Sequence, residues 1–269
     1  MNFIKSKSML NVIILLACLT LLGTLFVAWQ RYQSQKNFET MADIKKQQEV
    51  NRSNTTFDVP KLNSTNAVAT SIDSQYIYKF NENAKWLDIN PDYFGWIRVT
   101  GTNIDYPFVR SHDNKDYLTL DFNRNYSDAG SLFMDYRNLG NFNDKHTIIY
   151  GHYMKNKTLF HNLTLYHEKD FYEENQVIEI AGLYETKTYK IFSVYEISAD
   201  DYAFTLDFDE EIDYQNYLET LKKLSRHTNE LENELENEIE IDPTKRLLSL
   251  VTCSYGVGNG RTIIHAIEQ

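Results

Sequence analysis

The sequence predicts a mainly β protein. We expect a closed or nearly closed barrel of eight strands with an N-terminal helix and a helix inserted between the late strands, preceded by one transmembrane helix. Short runs rich in Ile, Val, Tyr and Phe are separated by Gly, Asn and Asp, which is typical of strands. So many short strands with few helices between them favour a barrel. The predicted strands cover residues 96–99, 104–109, 132–134, 147–150, 177–180, 189–197, 247–252 and 262–267.

The membrane helix is predicted from an uncharged N-terminal run. Residues 9–29 carry no charge, and about 20 apolar residues span a bilayer as a helix. Lys5 and Lys7 precede this run, and Trp29 lies at its far end, where aromatic residues suit the membrane interface. Because no small-residue cleavage site is evident, we expect an uncleaved anchor. The predicted organisation is a cytoplasmic segment 1–8, a signal-anchor 9–29, an extracellular spacer 30–70 and one folded domain 71–269.

Helices are predicted at three places in the domain. Apolar residues at near-helical spacing predict a helix over residues 71–88, which ends before Pro91. Shorter helices are expected over residues 158–166 and 213–226, and the second has a clear amphipathic pattern.

The charge is concentrated in one segment. The chain of 269 residues has a formal net charge of −11 and a pI near 5.1, which argues against a general nucleic-acid binder. Residues 207–242 contain 13 acidic and three basic side chains, so the rest of the chain is nearly neutral. The acidic run over residues 228–242 is either a solvated surface insertion or a site for cations or a partner. Two Cys in the whole chain exclude a disulfide-rich scaffold and a four-Cys zinc site.

Cys253 is the first candidate for chemistry. Cys18 falls in the apolar N-terminal run, so Cys253 has no expected disulfide partner in an extracellular domain. It follows an apolar strand and precedes a glycine-bearing loop, a position that exposes a side chain on a rigid support. Cys253 is either a reactive thiol or a buried residue that packs as a small hydrophobe.

A thiol nucleophile needs a base or a cation beside it. Among seven His, His152 stands out because it follows an apolar strand that ends in Gly151. Arg261 opens the last strand, and it comes close to Cys253 if the last two strands pair. Its guanidinium would then favour the thiolate and donate hydrogen bonds to an oxyanion.

These motifs resemble those of class B sortases. The residues Ser249-Leu250-Val251-Thr252-Cys253 resemble the nucleophile motif, Tyr150-Gly151-His152 resembles the histidine motif, and Arg261 falls where the family's arginine follows the cysteine. Similar segments occur at Gly95-Trp96-Ile97-Arg98-Val99, at Thr102-Asn103-Ile104-Asp105-Tyr106-Pro107, at Asp113-Asn114 with Tyr117-Leu118, and at Gly130-Ser131-Leu132-Phe133-Met134-Asp135.

The resemblance implies a sortase-type closed eight-stranded barrel and a membrane-anchored cysteine transpeptidase of Gram-positive cells, with its catalytic domain on the extracellular face. Cys253 is then the nucleophile, His152 the general acid and base, and Arg261 the residue that orients the substrate and stabilises the oxyanion. Thr252, Leu250 and Tyr255 are expected to contact the substrate. The expected partners are an Asn-Pro-x-Thr-like sorting signal of secreted proteins and an amine of a peptidoglycan precursor, and no cofactor or metal is expected.

Two alternatives stay open at the level of sequence. The same residues could serve a thiol endopeptidase that releases peptides to water, since an acyl-enzyme can react with water or with an amine. The domain could also be a catalytically silent surface binding module, in which case Cys253→Ala would have no effect.

Overall fold

The computed structural model describes residues 14–26, 28–29, 32, 46, 81–140, 144–198, 204–227, 241–254 and 260–269, with the side chains of Cys253 and Ser254 outside the description. The chain divides into two compact units, Met1–Arg52 and Ser53–Gln269.

In the first unit, residues 14–26 are helical. Across the described residues, no helix combines the length and the apolar character needed to cross a membrane. Part of the predicted span 9–29 and nearly all of the predicted spacer 30–70 lie outside the described residues.

Eight strands close into a barrel in the second unit, and all eight predicted strands are confirmed. The strands are β1 Tyr93–Val99, β2 Asp105–Arg110, β3 Leu132–Met134, β4 His146–Gly151, β5 Val177–Gly182, β6 Thr186–Ser198, β7 Leu247–Ser254 and β8 Gly260–Glu268. Around the barrel the order is β1-β2-β3-β4-β7-β8-β6-β5, with β5 pairing back to β1. Two pairs are parallel, β2 with β3 and β4 with β7, and the other pairs are antiparallel.

The predicted helices lie where the sequence placed them, but two of the three are 3₁₀ helices. The predicted helix 71–88 is a 3₁₀ helix over Glu82–Asp88, and residues 71–80 lie outside the described part. A 3₁₀ helix over Phe160–His167 stands where a short helix was expected, and the inserted helix α2 covers Glu211–Leu224. The sequence did not predict the 3₁₀ turn Asp116–Leu118 or the short helix α1, Lys169–Glu174.

The period of two along β7 and β8 separates two faces of the sheet. Leu248, Leu250 and Ile264 are fully buried in the main core, which fills the barrel. Val251 and Ile263 lie on the opposite face in a second buried cluster. In that cluster they pack with Ile148 of β4, Tyr150, Tyr195 and Ile197, and with Phe204 and Leu206 from the segment before α2. The outer face of these strands is therefore partly covered.

The fold has two parallel strand pairs, and both bear on the surroundings of the ends of β4 and β7. A parallel pair needs a crossover connection instead of a tight turn. The chain from β2 to β3 makes such a crossover through residues 111–131, which contain the Asp116–Leu118 turn. The parallel pairing of β4 with β7 brings the carboxyl ends of both strands to one edge of the barrel.

Candidate active site

Three adjacent strand ends bring the predicted residues together. Gly151 at the end of β4 is in register with Thr252 of β7, so His152 and Cys253 are the next residues on neighbouring strands. Cys253 is itself paired with Arg261 of β8. The pairing of the last two strands, on which the prediction for Arg261 depended, is confirmed. His152, the backbone of Cys253 and Arg261 therefore stand side by side across three strands.

Gly151 allows the chain to pass closely over the barrel just before His152. A Cβ at this position would overlap the side chains of Leu132 and Phe160. Glycine supplies the missing volume, which is its common use where backbone approaches other groups closely. The backbone beyond is held in turn, because the amide of Phe160 donates to the carbonyl of His152 at 3.2 Å.

A backbone carbonyl fixes the proton of the His152 ring. Nε2 lies 2.9 Å from the carbonyl oxygen of Leu118. Because a carbonyl can only accept, Nε2 carries the hydrogen and the neutral ring keeps its lone pair on Nδ1. The Leu118 carbonyl can accept from Nε2 in both the neutral and the protonated ring, so the contact holds the same ring orientation in both forms.

The turn that carries Leu118 is held by Asp113. Its Oδ1 accepts from the amides of Lys115 at 2.8 Å and Asp116 at 3.0 Å. These hydrogen bonds, with that from Lys115 the largest cause, lower the pKa of Asp113 below its usual value. The carboxylate therefore keeps its acceptor role and holds the 3₁₀ turn that presents the Leu118 carbonyl to His152.

A pocket of about 190 Å³ opens at these strand ends. Its lining includes Phe133 and Tyr150, whose ring centroids are 5.4 Å apart. The polar groups in its wall belong to several elements and include the imidazole of His152 and the guanidinium of Arg261. The lining residues are Asn114, Leu118, Phe133, Tyr150, Gly151, His152, Val251, Thr252 and Arg261.

The predicted substrate contacts fall in different places. Thr252 is buried and borders the pocket. Leu250 has no exposed surface and packs in the core inside the barrel, and it is not among the residues that line the pocket. Tyr255 lies outside the described residues. Arg261 donates from Nη1 to the carbonyl of Gly260 at 3.1 Å, which anchors the guanidinium near the start of β8.

Four residues that line the pocket were not among the predicted site residues: Asn114, Leu118, Phe133 and Tyr150. The alternation along β4 could have found Tyr150, because it shares a face with His152 two residues later. Asn114 and Leu118 come from a crossover connection, and no local pattern reports where such a connection returns to the barrel.

One group of side chains has the composition of a metal site. Ligand atoms of His112, Asp113 and Asp116 lie within 4.8 Å of one another. Asp113 already accepts two backbone amides, and Oδ2 of Asp116 accepts from Ser111 at 2.7 Å. These contacts account for the carboxylates as turn residues, and we assign no metal there.

The fold and the site define a β-barrel protein with a His, Cys and Arg row at its edge. Residues 97–269 match the family described as Sortase domain, and the chain belongs to that family. It is 36% identical over 166 residues to sortase B of Staphylococcus aureus, covering 61% of this chain and 64% of that protein. The chain thus spans less than two thirds of that relative's length.

Solved structures give the same relationship. The structure of Clostridium perfringens sortase B superposes with a TM-score of 0.64 at 33% identity, covering 70% of this chain and 100% of the other. A Staphylococcus aureus sortase B–substrate complex superposes with a TM-score of 0.61 at 32% identity, covering 69% of this chain and 83% of the other.

Proposed function

We propose that this chain is a cysteine transpeptidase that joins secreted proteins to the cell wall. The observation that carries the proposal is the row of His152, Cys253 and Arg261 on three neighbouring strands beside an open pocket. Membership of the sortase family and the likeness to sortase B support it. Cys253 is the nucleophile, His152 the general acid and base, and Arg261 the residue that stabilises the oxyanion.

The first half-reaction forms a thioester. The thiol proton of Cys253 passes to His152, and the thiolate sulfur attacks the carbonyl carbon of a Thr in the sorting signal. The guanidinium of Arg261 stabilises the negative charge on the tetrahedral oxygen. The C–N bond then breaks, and the imidazolium of His152 gives its proton to the leaving amine. The Leu118 carbonyl accepts from Nε2 throughout and leaves Nδ1 to move this proton.

The second half-reaction transfers the acyl group. An amine of a peptidoglycan precursor attacks the thioester carbonyl, His152 takes a proton from this amine, and the thiolate leaves. The products are an amide between the Thr carboxyl and the acceptor, and the regenerated enzyme. We propose an Asn-Pro-x-Thr-like signal because the motifs resemble those of class B sortases, and the likeness to a Staphylococcus aureus sortase B–substrate complex supports a substrate of the sortase B kind. We also propose that residues 9–29 anchor the protein in the cell membrane with the catalytic domain outside.

The test is the mass of the intact protein. The full chain in the Cys18→Ala background retains Cys253 as its single thiol. The protein is mixed with a library of Thr-containing sorting peptides. We expect the mass of the protein to increase by that of the peptide fragment that ends at the Thr, because this fragment forms the thioester with Cys253. The adduct should be absent in Cys18→Ala/Cys253→Ala. His152→Ala should slow its formation by about 100-fold or more, the range of general acid–base catalysis.

The fate of the adduct separates the candidate functions. If an added amine converts the thioester into a ligated peptide faster than water hydrolyses it, the chain is a transpeptidase. If the amine changes neither rate nor product, the chain is a thiol endopeptidase. If no peptide gives an adduct while the thiol of Cys253 stays intact, the binding-module alternative replaces the proposal.

A further inference from the structure

A buried carboxylate stands behind the pocket, outside the row of His152, Cys253 and Arg261. Asp135 directly follows β3, and its side chain has no exposed surface. It accepts five hydrogen bonds. Oδ1 accepts from the amide and from Nε of Arg137, both at 2.9 Å, and Oδ2 accepts from Nη2 of Arg137 at 2.8 Å, from Nδ2 of Asn114 at 3.1 Å and from the hydroxyl of Tyr150 at 2.9 Å.

Two of these donors belong to pocket residues from different elements. Asn114 comes from the crossover between β2 and β3, whereas Tyr150 comes from β4. The amide of Asn114 is held at both ends, because its Oδ1 accepts from the amide of Tyr136 at 3.0 Å. Its orientation is therefore fixed by the direction of these two hydrogen bonds, and an amide flip would place a donor against Tyr136 and an acceptor against Asp135.

The negative charge of Asp135 strengthens the hydrogen bonds that Asn114 and Tyr150 donate to it. Burial by itself raises the pKa of the carboxyl, but the hydrogen bonds from Arg137 and the Tyr150 hydroxyl outweigh it and leave the pKa below its usual value. An ionised carboxylate is an acceptor only, so it cannot offer Asn114 or Tyr150 an alternative bond as donor. Hydrogen bonds to an ionised group are also about twice as strong as neutral ones.

The side-chain amide of Asn114 has hydrogen-bonding groups that are available to a ligand. An Asn side chain has two N–H donors and two lone pairs on its oxygen. The contacts with Asp135 and Tyr136 use one of each. Within the described part of the chain, Asn114 thus keeps one donor and one acceptor at the pocket wall. An extended peptide offers the complementary pair, one C=O and one N–H per residue.

We propose that Asp135 is a positioning residue for peptide binding, which acts through Asn114 and Tyr150 and not through the thiol chemistry. The inference rests on the proposed function, because the ligand it concerns is the peptide that the pocket accepts. Asp135 holds two pocket walls, the crossover connection and β4, in one geometry. Its loss should weaken peptide binding and leave the reactivity of the row of His152, Cys253 and Arg261 unchanged.

Asp135→Asn is the direct test, because it keeps the shape and removes the charge. We expect KM for the peptide to rise by about tenfold, which corresponds to the loss of a charged hydrogen bond, while kcat changes by less than about twofold. The rate at which iodoacetamide alkylates Cys253 in the Cys18→Ala background should stay the same. A fall in kcat at unchanged KM, or a slower alkylation, would overturn the proposal.

The matched control is Arg137→Lys. It keeps the positive charge beside Asp135 but loses the bidentate fork, and it leaves the bonds from Asn114 and Tyr150 in place. Arg137 is about half exposed, with 43% of its side-chain surface accessible, so this variant tests the local stability of the turn after β3. We expect a lower midpoint of thermal unfolding and an unchanged KM. An equal rise of KM in both variants would mean a merely structural role for Asp135.

A double-mutant cycle tests whether Asp135 acts through its two pocket partners. In an Asn114→Ala/Tyr150→Phe background both hydrogen bonds from the pocket residues to Asp135 are gone. Asp135→Asn should then add less than about twofold to KM, since coupled sites are not additive. The same factor in both backgrounds would contradict the proposal.

An NMR measurement on Asn114 needs no peptide. It therefore tests the proposal even if the Asp135→Asn variant has no measurable activity. The side-chain NH₂ of Asn114 gives two ¹H–¹⁵N resonances, which the bond to Asp135 shifts and protects from exchange. We expect both to move and to exchange faster in Asp135→Asn and to stay unchanged in Arg137→Lys. If Asn114 is unaffected by Asp135→Asn, the positioning role is wrong. If Asn114 responds and the wild-type chain forms no thioester with any peptide, the positioning of the Asn114 amide by Asp135 stands and the proposed transpeptidase activity fails.

Discussion

Gly151 decides where His152 can stand. The close approach of its Cα to Leu132 and Phe160 leaves no room for a methyl group, and His152 is the next residue in the chain. The position of the proposed acid and base is thus set by the volume of the preceding residue. It is set further by the hydrogen bond from His152 Nε2 to the carbonyl of Leu118.

We predict that Gly151→Ala displaces His152. Overpacking of this kind costs about 1–3 kcal/mol of stability, and we expect the rate of thioester formation to fall by about tenfold or more, because a shift of about 1 Å can cost 100-fold in rate. Intact-mass kinetics and thermal unfolding measure the two effects. Adding Leu132→Ala makes room for the new methyl group, so the double variant should lose less stability than the two single changes together. Strict additivity would show that the two side chains do not meet.

At the scale of elements, a buried chain of hydrogen bonds connects the four strands β4, β7, β8 and β6. It passes through Ser249, which precedes the pocket residue Val251 by two positions on β7. His146 Nδ1 donates to the carbonyl of Thr205 at 2.7 Å, so its Nε2 accepts from the Ser249 hydroxyl at 2.6 Å. The oxygen of Ser249 accepts from Nδ1 of His265 at 2.6 Å, and Nε2 of His265 accepts from the Tyr195 hydroxyl at 3.0 Å. Each of the two imidazole rings thus donates from Nδ1 and accepts at Nε2. Every polar group in the chain has a partner while both rings are neutral.

Ser249→Ala should break this chain in the middle. Two buried imidazole nitrogens would lose their partner, and each such loss costs about 1–3 kcal/mol. Denaturant unfolding should show the loss, with no change in the slope against denaturant concentration. Ser249→Thr is the control, because it keeps the hydroxyl, and we expect it to cost less than Ser249→Ala although it adds a methyl group at a buried position. Similar losses in both variants would mean that packing, and not the hydroxyl, matters at this position.

The elements show why some of this molecule could be predicted and some could not. The eight strands were predictable because short runs rich in Ile, Val, Tyr and Phe are separated by Gly, Asn and Asp. Cys253, His152 and Arg261 were predictable as residues at strand ends, although their adjacency depends on the pairing of β4, β7 and β8. The contacts of Asp135 were not, because they join a residue just after β3 to residues of β4 and of a crossover connection.

At the scale of the whole molecule, the buried histidines make stability depend on pH. Burial lowers the pKa of His146 from 6.5 to about 4, and burial lowers the pKa of His265 as well, with the neighbouring His146 adding to the effect. Burial and the charge of Arg226 also lower the pKa of His167. In all three the neutral ring is the folded form. The unfolded chain therefore binds more protons than the folded chain as the pH falls below the usual pKa of histidine.

The sign of the pH dependence follows from that difference. The stability that the neutral form of His146 contributes is complete at pH values well above 6.5 and is lost as the pH falls from about 6.5 to about 4, which amounts to about 3 kcal/mol. The carboxyls of Asp135 and Glu268 have pKa values below their usual ones and add their loss at lower pH. Urea unfolding between pH 7.5 and 4 measures the profile. His146→Gln should be less stable at pH 7.5 but should have a flatter profile, because its side chain binds no proton. A profile parallel to that of the wild type would show that His146 does not titrate between the folded and unfolded states.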